Sequence, residues 1–261
     1  VKTLPPFGTN PQELYGVVVE ESTSRVEVTA PRRRRVFSMA ITDDSTSDRG
    51  KPTAWSATID ALAAGADAPG DEIRRLFALC AGNRLGTISA NYLVESDTEE
   101  IQDPGQAWNA LTVGASTEKC TLDEDDPTLN GWTPLAGPGA LSPISTTSVT
   151  YTRQWPIKPD VVIEGGNMAL GPGESEASCL DCLSVLTTDR DVAGLSLEPI
   201  AGTSASVSLV ARLSAQIAAE YPEAWPETIR ALVVNSARWT EPMLAEIAVA
   251  RARRTTLEAV L

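Results

Sequence analysis

Apolar residues along this chain alternate between short continuous runs and positions spaced for helices. Short apolar runs bounded by turn residues predict buried strands at 36–41, 76–80, 110–115 and 159–164. Helical spacing predicts helices at 11–30, 52–64, 203–221, 226–236 and 242–261, with Pro226 in a favourable first-turn position. Strands that alternate with helices are typical of an α/β fold built on a mostly parallel sheet.

The connecting segments are predicted from turn residues. Residues 118–150 are rich in Asp, Pro, Gly, Ser and Thr, which predicts a surface loop with little regular structure. Residues 169–177 predict a loop rich in Gly and Glu, without the Lys and Ser/Thr of a phosphate-binding loop. Two short runs, at 183–187 and 194–197, predict the strands of a hairpin.

The domain organisation follows from the absence of internal repeats and of a compositional break between two halves. The sequence therefore predicts a single domain over residues 1–261. Within it we expect a lead-in helix and loop over 1–35, a core over 36–238 and a C-terminal helix over 239–261.

Composition narrows the classes of partner. The chain has 261 residues, of which 42% are hydrophobic, so it can bury a substantial core. Its 35 acidic and 21 basic residues give a net charge of −14, which opposes binding to nucleic acid or to an anionic membrane. The basic run at 32–35 is the local exception, and we interpret it as a solvated lead-in to the next strand rather than a phosphate-binding patch.

No apolar stretch approaches the roughly 20 residues that cross a bilayer. The N-terminus also lacks the basic and then apolar pattern of a signal peptide, which predicts a soluble, cytoplasmic chain. Cys179 and Cys182 have the CxxC spacing, but there is no second pair and no histidine to complete a zinc site. We therefore expect reduced thiols or a local disulfide, with no metal and no cofactor.

A serine precedes the most strongly predicted helix. Gly202-Thr203-Ser204-Ala205 opens that helix in the way that a serine nucleophile is mounted, yet the chain contains no histidine. A serine hydroxyl is a weak nucleophile unless a positioned base takes its proton, and histidine is the commonest such base. Taken alone, Ser204 also fits a helix cap, because serine is preferred there.

Six landmarks occur in an order that resembles the subtilases, the subtilisin-like serine peptidases. They are 35–40 (RVFSMA), 76–83 ending in AGN, 111–115 (LTVGA), 158–162 (KPDVV) followed by 164–166 (EGG), 202–204 (GTS) and 225–232 (WPETIRAL). Each motif alone is weak, but six in order are specific. The pattern departs from the family at 164–166, where alanine-proline-glycine is usual, and at 206–208, where a small residue, threonine and proline are common.

The resemblance implies roles for individual residues. Ser204 is expected to be the nucleophile, and Asn83 is expected to supply an oxyanion-hole donor from its side-chain amide, beside the N–H of Ser204. Lys158 and Asp160 match a structural unit of the family, and they are also candidates for a replacement base. The resemblance further implies substrate-binding positions at Ser38, Met39, Ala40, Gly82, Gly202 and Thr203.

The resemblance also implies what this chain lacks. The family's catalytic aspartate and histidine motifs have no match here, so we expect a three-layer, subtilisin-like sheet without the N-terminal strands that carry them. The expected substrate is a peptide or an ester. The expected partner is an N-terminal lobe that supplies Asp and His, or a second copy of the chain. Two alternatives stay open: an esterase with a base other than histidine, and an inactive peptide-binding pseudo-protease.

Overall fold

The computed structural model describes residues 8–45, 49–67, 70, 73–147, 155–191 and 193–258, and only the backbone of 250–258. The expected elements at 1–7, 148–150 and 259–261 lie outside these residues. The helices are α1 (Tyr15–Thr29), α2 (Ala54–Ala64), α3 (Tyr92–Ser96), α4 (Thr203–Glu220), α5 (Pro226–Ser236) and α6 (Glu241–Glu258). Short 3₁₀ turns occur at Gln12–Leu14, Pro127–Leu129 and Asp181–Leu183.

The strands form one main sheet and two small ones. They are β1 (Val36–Met39), β2 (Leu76–Cys80), β3 (Leu111–Thr117), β4 (Thr133–Pro134), β5 (Ala140–Leu141), β6 (Val161–Glu164), β7 (Met168–Leu170), β8 (Ala177–Cys179), β9 (Val185–Thr188) and β10 (Leu197–Ile200). In the main sheet β1, β2, β3 and β6 pair in parallel, and β5 joins β3 antiparallel. The predicted mostly parallel α/β architecture is confirmed.

Side chains of β2 that point alternately to the two faces of the main sheet explain the three layers. Leu76 and Ala78 pack with α4 and α5 on one face of the sheet, while Phe77 and Leu79 pack with α1 and α2 on the other. Successive side chains of a strand point to opposite faces, so a strand buried on both sides is apolar throughout. All five residues of β2 are buried, as that arrangement requires.

The predicted loops contain more regular structure than expected. Within 118–150, β4 and β5 form short strands, and β7 and β8 begin and end the loop expected at 169–177. These strands are only two or three residues long, so local periodicity does not reveal them. β4 and β5 pair with segments distant in the chain, and β7 and β8 pair with each other. The hairpin is present as β9 and β10, with Val185 opposite Ile200.

The basic run at 32–35 has a structural use that the sequence did not suggest. Arg34 donates to the carbonyl of Ala224 at 2.6 Å, beyond the C-terminal end of α4, and Arg35 donates to the carbonyl of Val26 at 2.8 Å in α1. Carbonyls near the C-terminal end of a helix favour cations. Two of the four arginines therefore bind carbonyls at or just beyond the C-terminal ends of helices. None of the described helices meets the length and apolarity that crossing a membrane requires.

Candidate active site

Ser204 lies in the first turn of α4, where the chain leaves β10. Gly202 caps this helix with φ at +118°, a conformation that side chains rarely adopt. The N–H of Gly202 donates to the carbonyl of Gly165 at 2.7 Å, just after β6. The nucleophile segment is therefore fixed to the C-terminal end of the parallel sheet, at the N-terminus of α4.

Asn83 follows β2 and contacts the same helix start. Its Oδ1 accepts from the N–H of Thr203 at 2.9 Å and from the Thr203 hydroxyl at 3.1 Å. A backbone N–H can only donate, so the carboxamide atom facing it is the oxygen. The Nδ2 group of Asn83 can therefore donate to another acceptor, next to Thr203 and Ser204.

Thr203 completes this connection from inside the protein. Its side chain is fully buried, and its hydroxyl accepts from the N–H of Gly82 at 3.2 Å while donating to Asn83. Behind it, burial raises the pKa of the Cys80 thiol to about 11. A thiol with such a pKa stays protonated at neutral pH, so Cys80 is not a competing nucleophile.

The expected substrate-binding positions separate into two groups. Ser38 and Ala40 are exposed, and the Ser204 hydroxyl lies 3.5 Å from the carbonyl of Ala40. Gly82, Gly202 and Thr203 are buried, so they position one side of the site but do not line it. The side chain of Met39 packs against the core beneath α1 and α2. Strand addition would use the main chain of Met39 rather than this side chain.

The departures from the family pattern are accommodated by hydrogen bonds. Ser206 is fully buried, and its hydroxyl lies 3.2 Å from the carbonyls of both Ile163 and Glu164 at the end of β6. The Glu164 carboxylate accepts from the N–H groups of Gly166 and Glu118, each at 2.7 Å. The polar replacements therefore fasten the turn at 164–166 to α4 and to the end of β3.

Lys158 and Asp160 lie at the other end of β6. The Lys158 ammonium is buried and donates to Asp160 at 2.7 Å, and the N–H of Thr112 donates to the same carboxylate at 2.7 Å. Asp160 precedes β6, whereas Gly165, which contacts Gly202, follows it. At about 3.3 Å per residue the two ends are roughly 15 Å apart, so this pair does not reach Ser204.

One residue near the site was missed from the sequence. Gln102 is buried, and its Oε1 accepts from the Thr42 hydroxyl at 2.8 Å and from the N–H of Asn83 at 3.3 Å. Its Nε2 donates to the carbonyl of Asn83 at 2.8 Å. A glutamine in a loop carries no periodic or motif signal, so nothing in the local sequence indicates this position.

The fold and the site define a three-layer α/β protein that mounts a serine at a helix N-terminus beside an asparagine carboxamide. The sequence model of the subtilase family matches residues 1–256. This chain belongs to the subtilase family, as the order of its motifs indicated.

One curated protein is similar to most of this chain. The chain is 28% identical over 228 residues to a protein of Sinorhizobium fredii (strain NBRC 101917 / NGR234) described as "Uncharacterized protein y4bN". That alignment covers 78% of this chain and 48% of the relative, so the chain spans about half the length of the curated relative it matches.

Two solved structures share the fold. Sphericase aligns with a TM-score of 0.50 and 18% identity, covering 90% of this chain and 58% of its own. The prenylagaramide maturation protease PagA aligns with a TM-score of 0.52 and 12% identity, covering 92% of this chain and 62% of its own.

The cap position provides a first prediction. Gly202→Ala is expected to lower the free energy of unfolding by about 1–3 kcal/mol, because its φ is positive and strain of this kind carries such a cost. An added Cβ would also lie 2.8 Å from Oδ1 of Asn83 and displace that side chain. Urea unfolding measures the effect. Gly137→Ala is the matched control, since a Cβ there meets no atom within 4 Å.

Proposed function

We propose that this chain supplies the nucleophile and the oxyanion donors of a serine peptidase site. In this proposal Ser204 Oγ attacks the scissile carbonyl carbon, and the carbonyl oxygen, now negatively charged, accepts from the Ser204 N–H and from Nδ2 of Asn83. The observation that carries the proposal is the 2.9 Å bond from the Thr203 N–H to Asn83 Oδ1, which holds the carboxamide beside Ser204. Membership of the subtilase family supports the reaction class.

The proposal takes the base for the Ser204 proton from outside these 261 residues. The chain contains no histidine, and the contact of the hydroxyl is a carbonyl oxygen, which is too weakly basic to take the proton. The proposal therefore places the histidine, and the aspartate that orients it, on polypeptide outside this sequence.

The edge of the main sheet offers that polypeptide a place to bind. Within the described ranges β1 pairs with β2 along one edge, and Ser38 and Ala40 are exposed beside Ser204. An open strand edge presents unpaired backbone groups and takes up an added strand. A histidine carried by such a strand, or by the segment after it, would approach the hydroxyl from the side of Ala40.

The test supplies the missing base chemically. Imidazole is added to the purified chain with a blocked alanine 4-nitrophenyl ester, and nitrophenolate release is followed. Ser204 Oγ bonds to the acyl carbon, imidazole takes the hydroxyl proton, nitrophenolate leaves, and water then hydrolyses the acyl-serine. We expect Ser204→Ala to reduce the rate to that of imidazole alone.

The matched control is Ser24→Ala on α1, where the side chain is exposed. This variant is expected to keep the wild-type rate within about twofold, because surface changes away from a site have small effects.

Ester turnover that persists undiminished in Ser204→Ala would assign the chemistry to another group. Strong turnover without imidazole would favour the alternative of an esterase with a different base. Peptide binding that Ser204→Ala retains, with no turnover under any condition, would favour the pseudo-protease.

A further inference from the structure

The main chain of Asn83 is held from two sides. Residues 82–84 pair antiparallel with residues 144–146 through two main-chain hydrogen bonds, at 2.8 Å and 3.3 Å, that flank Asn83. A residue flanked in this way turns its own N–H and carbonyl away from the partner segment. On that other side Gln102 binds both main-chain groups of Asn83. The pairing with 144–146 therefore fixes the direction in which the Asn83 side chain leaves the main chain.

The contact with Thr203 does not fix the oxyanion donor by itself. Thr203 donates from its N–H at 2.9 Å and from its hydroxyl at 3.1 Å, and both bonds meet the same atom, Oδ1 of Asn83. The carboxamide can still turn about that oxygen, so the direction of Nδ2 depends on where the main chain places the Cβ. An oxyanion donor acts at about 2.7–3.1 Å, and a small shift of the main chain removes it from that range.

Arg84 holds the end of the pairing that follows Asn83. Its side chain is 3% exposed, and its guanidinium donates to the Glu95 carboxylate at 2.9 Å. It also donates to the carbonyls of Tyr92 at 3.3 Å and Pro143 at 3.5 Å. The guanidinium thus joins three segments, which are the chain after β2, helix α3 and the segment that pairs with residues 82–84.

The carboxylate of Glu95 is itself held in place. The Ser89 hydroxyl donates to it beside Arg84, and these hydrogen bonds lower the pKa of Glu95. The carboxylate is therefore ionised at neutral pH, where its hydrogen bond to the guanidinium is charge-assisted and stronger than one between neutral groups.

The chain beyond Arg84 leaves the body of the protein. Residues 85–87 are exposed, and Gly86 has a φ of +82° with no atom within 4 Å of an added Cβ. Exposed loops with few packed contacts open at a low cost in free energy. The Arg84 side chain therefore lies between Asn83 and a loop that contributes little support of its own.

We infer that Arg84 is a positioning residue for the oxyanion donor. The inference rests on the proposed function. The guanidinium binds α3 and Pro143, so it acts through the main chain of Asn83 and not on the substrate. Without it, Asn83 moves with residues 85–87, and Nδ2 meets the developing oxyanion less well. Because that charge forms only during the reaction, the loss falls on kcat and not on substrate binding.

The test measures kcat and KM for imidazole-supported hydrolysis of the blocked alanine 4-nitrophenyl ester, with the rate of Ser204→Ala subtracted. Arg84→Gln is expected to lower kcat by at least about tenfold and to keep KM within about twofold, because a misplacement of about 1 Å can cost about 10²-fold in rate. Arg84→Lys keeps a cation that can donate to Glu95 and should restore part of the lost kcat. Arg25→Gln, at an exposed position on α1, is the matched control.

A double-mutant cycle separates positioning from a purely structural role. Asn83→Ala has no carboxamide to position, so adding Arg84→Gln to it is expected to change kcat by less than about twofold. An arginine that only stabilised the fold would lower the activity by the same factor in both backgrounds. Thermal unfolding establishes that each variant is folded.

Glu95→Ala replaces Arg84→Gln in the cycle should the latter not fold. This change removes the charged partner of the guanidinium and leaves Arg84 in the chain. It is expected to lower kcat by at least about threefold when Asn83 is present, and by less than about twofold in Asn83→Ala. Glu124→Ala, at an exposed position, is its control.

The outcomes distinguish this inference from the function on which it rests. Ser204-dependent hydrolysis with a wild-type kcat in the folded variant overturns the role of Arg84 and leaves the proposed function intact. An equal loss of kcat with and without the Asn83 carboxamide does the same. If no ester is hydrolysed through Ser204, the proposed function fails and the inference fails with it.

Discussion

Asn83→Ala is expected to lower the imidazole-supported, Ser204-dependent kcat by about 10²- to 10³-fold, which is the typical effect of losing one oxyanion-hole donor. The carboxamide is fixed by two hydrogen bonds from Thr203, so its Nδ2 protons need no reorientation when charge develops on the substrate oxygen. Because that charge forms only during reaction, kcat should fall while KM changes little. Ester hydrolysis at several substrate concentrations measures both constants.

Asn83→Asp separates the loss of the Nδ2 donor from the loss of the hydrogen bonds that the side chain accepts from Thr203. A carboxylate of the same shape still accepts from Thr203 but has no N–H to donate, and its charge repels an oxyanion. We therefore expect a loss of kcat at least as large as in Asn83→Ala, with a melting temperature closer to that of the wild type. Asn91→Ala, an exposed asparagine eight residues further along, is the matched control. Unchanged kcat in a folded Asn83→Asp protein would remove Asn83 from the site.

Asp160→Ala is expected to lower the free energy of unfolding by about 3–5 kcal/mol, the usual cost of removing one partner of a buried ion pair. Lys158 is 2% exposed, and its Nζ lies 2.7 Å from the Asp160 carboxylate. The same carboxylate accepts from the N–H of Thr112 and from Arg230. The change leaves a buried ammonium without its counter-charge, which urea unfolding detects, and Asp125→Ala at an exposed position is the control.

The pH dependence of the stability lost in Asp160→Ala gives a second test of this ion pair. Burial is the largest cause that lowers the pKa of Lys158, and Asp160 opposes it. Without Asp160 the folded-state pKa falls further, while the unfolded state keeps its proton up to about pH 10.4. Between the folded-state and the unfolded-state pKa of Lys158, unfolding takes up a proton, so the free energy of unfolding rises with pH. The penalty of Asp160→Ala should therefore shrink from pH 7 to pH 10, and a penalty that grows would contradict this account.

Part of the site could be predicted from the sequence. The strands at 76–80 and 111–115, and the helices that begin at Thr203 and Pro226, follow from apolar runs and helical spacing. The order of the motifs identified the subtilase family. Gln102 was not predictable, because its importance lies in hydrogen bonds to Thr42 and Asn83, 60 and 19 residues away. Met39 and Thr203 could be placed on elements, but their burial depends on the elements packed against them.

What the sequence by itself determined is the alternation of strands and helices, the family and the positions of Ser204 and Asn83 along the chain. These depend on local spacing, since side chains two residues apart share a face of a strand and those three or four apart share a face of a helix. Only the tertiary structure decided that the ends of β1, β2 and β6 and the start of α4 meet, that Arg34 binds the carbonyl at Ala224, and that Gln102 binds both main-chain groups of Asn83. The physical reason is that these contacts join segments whose separation in the chain bears no relation to their separation in space.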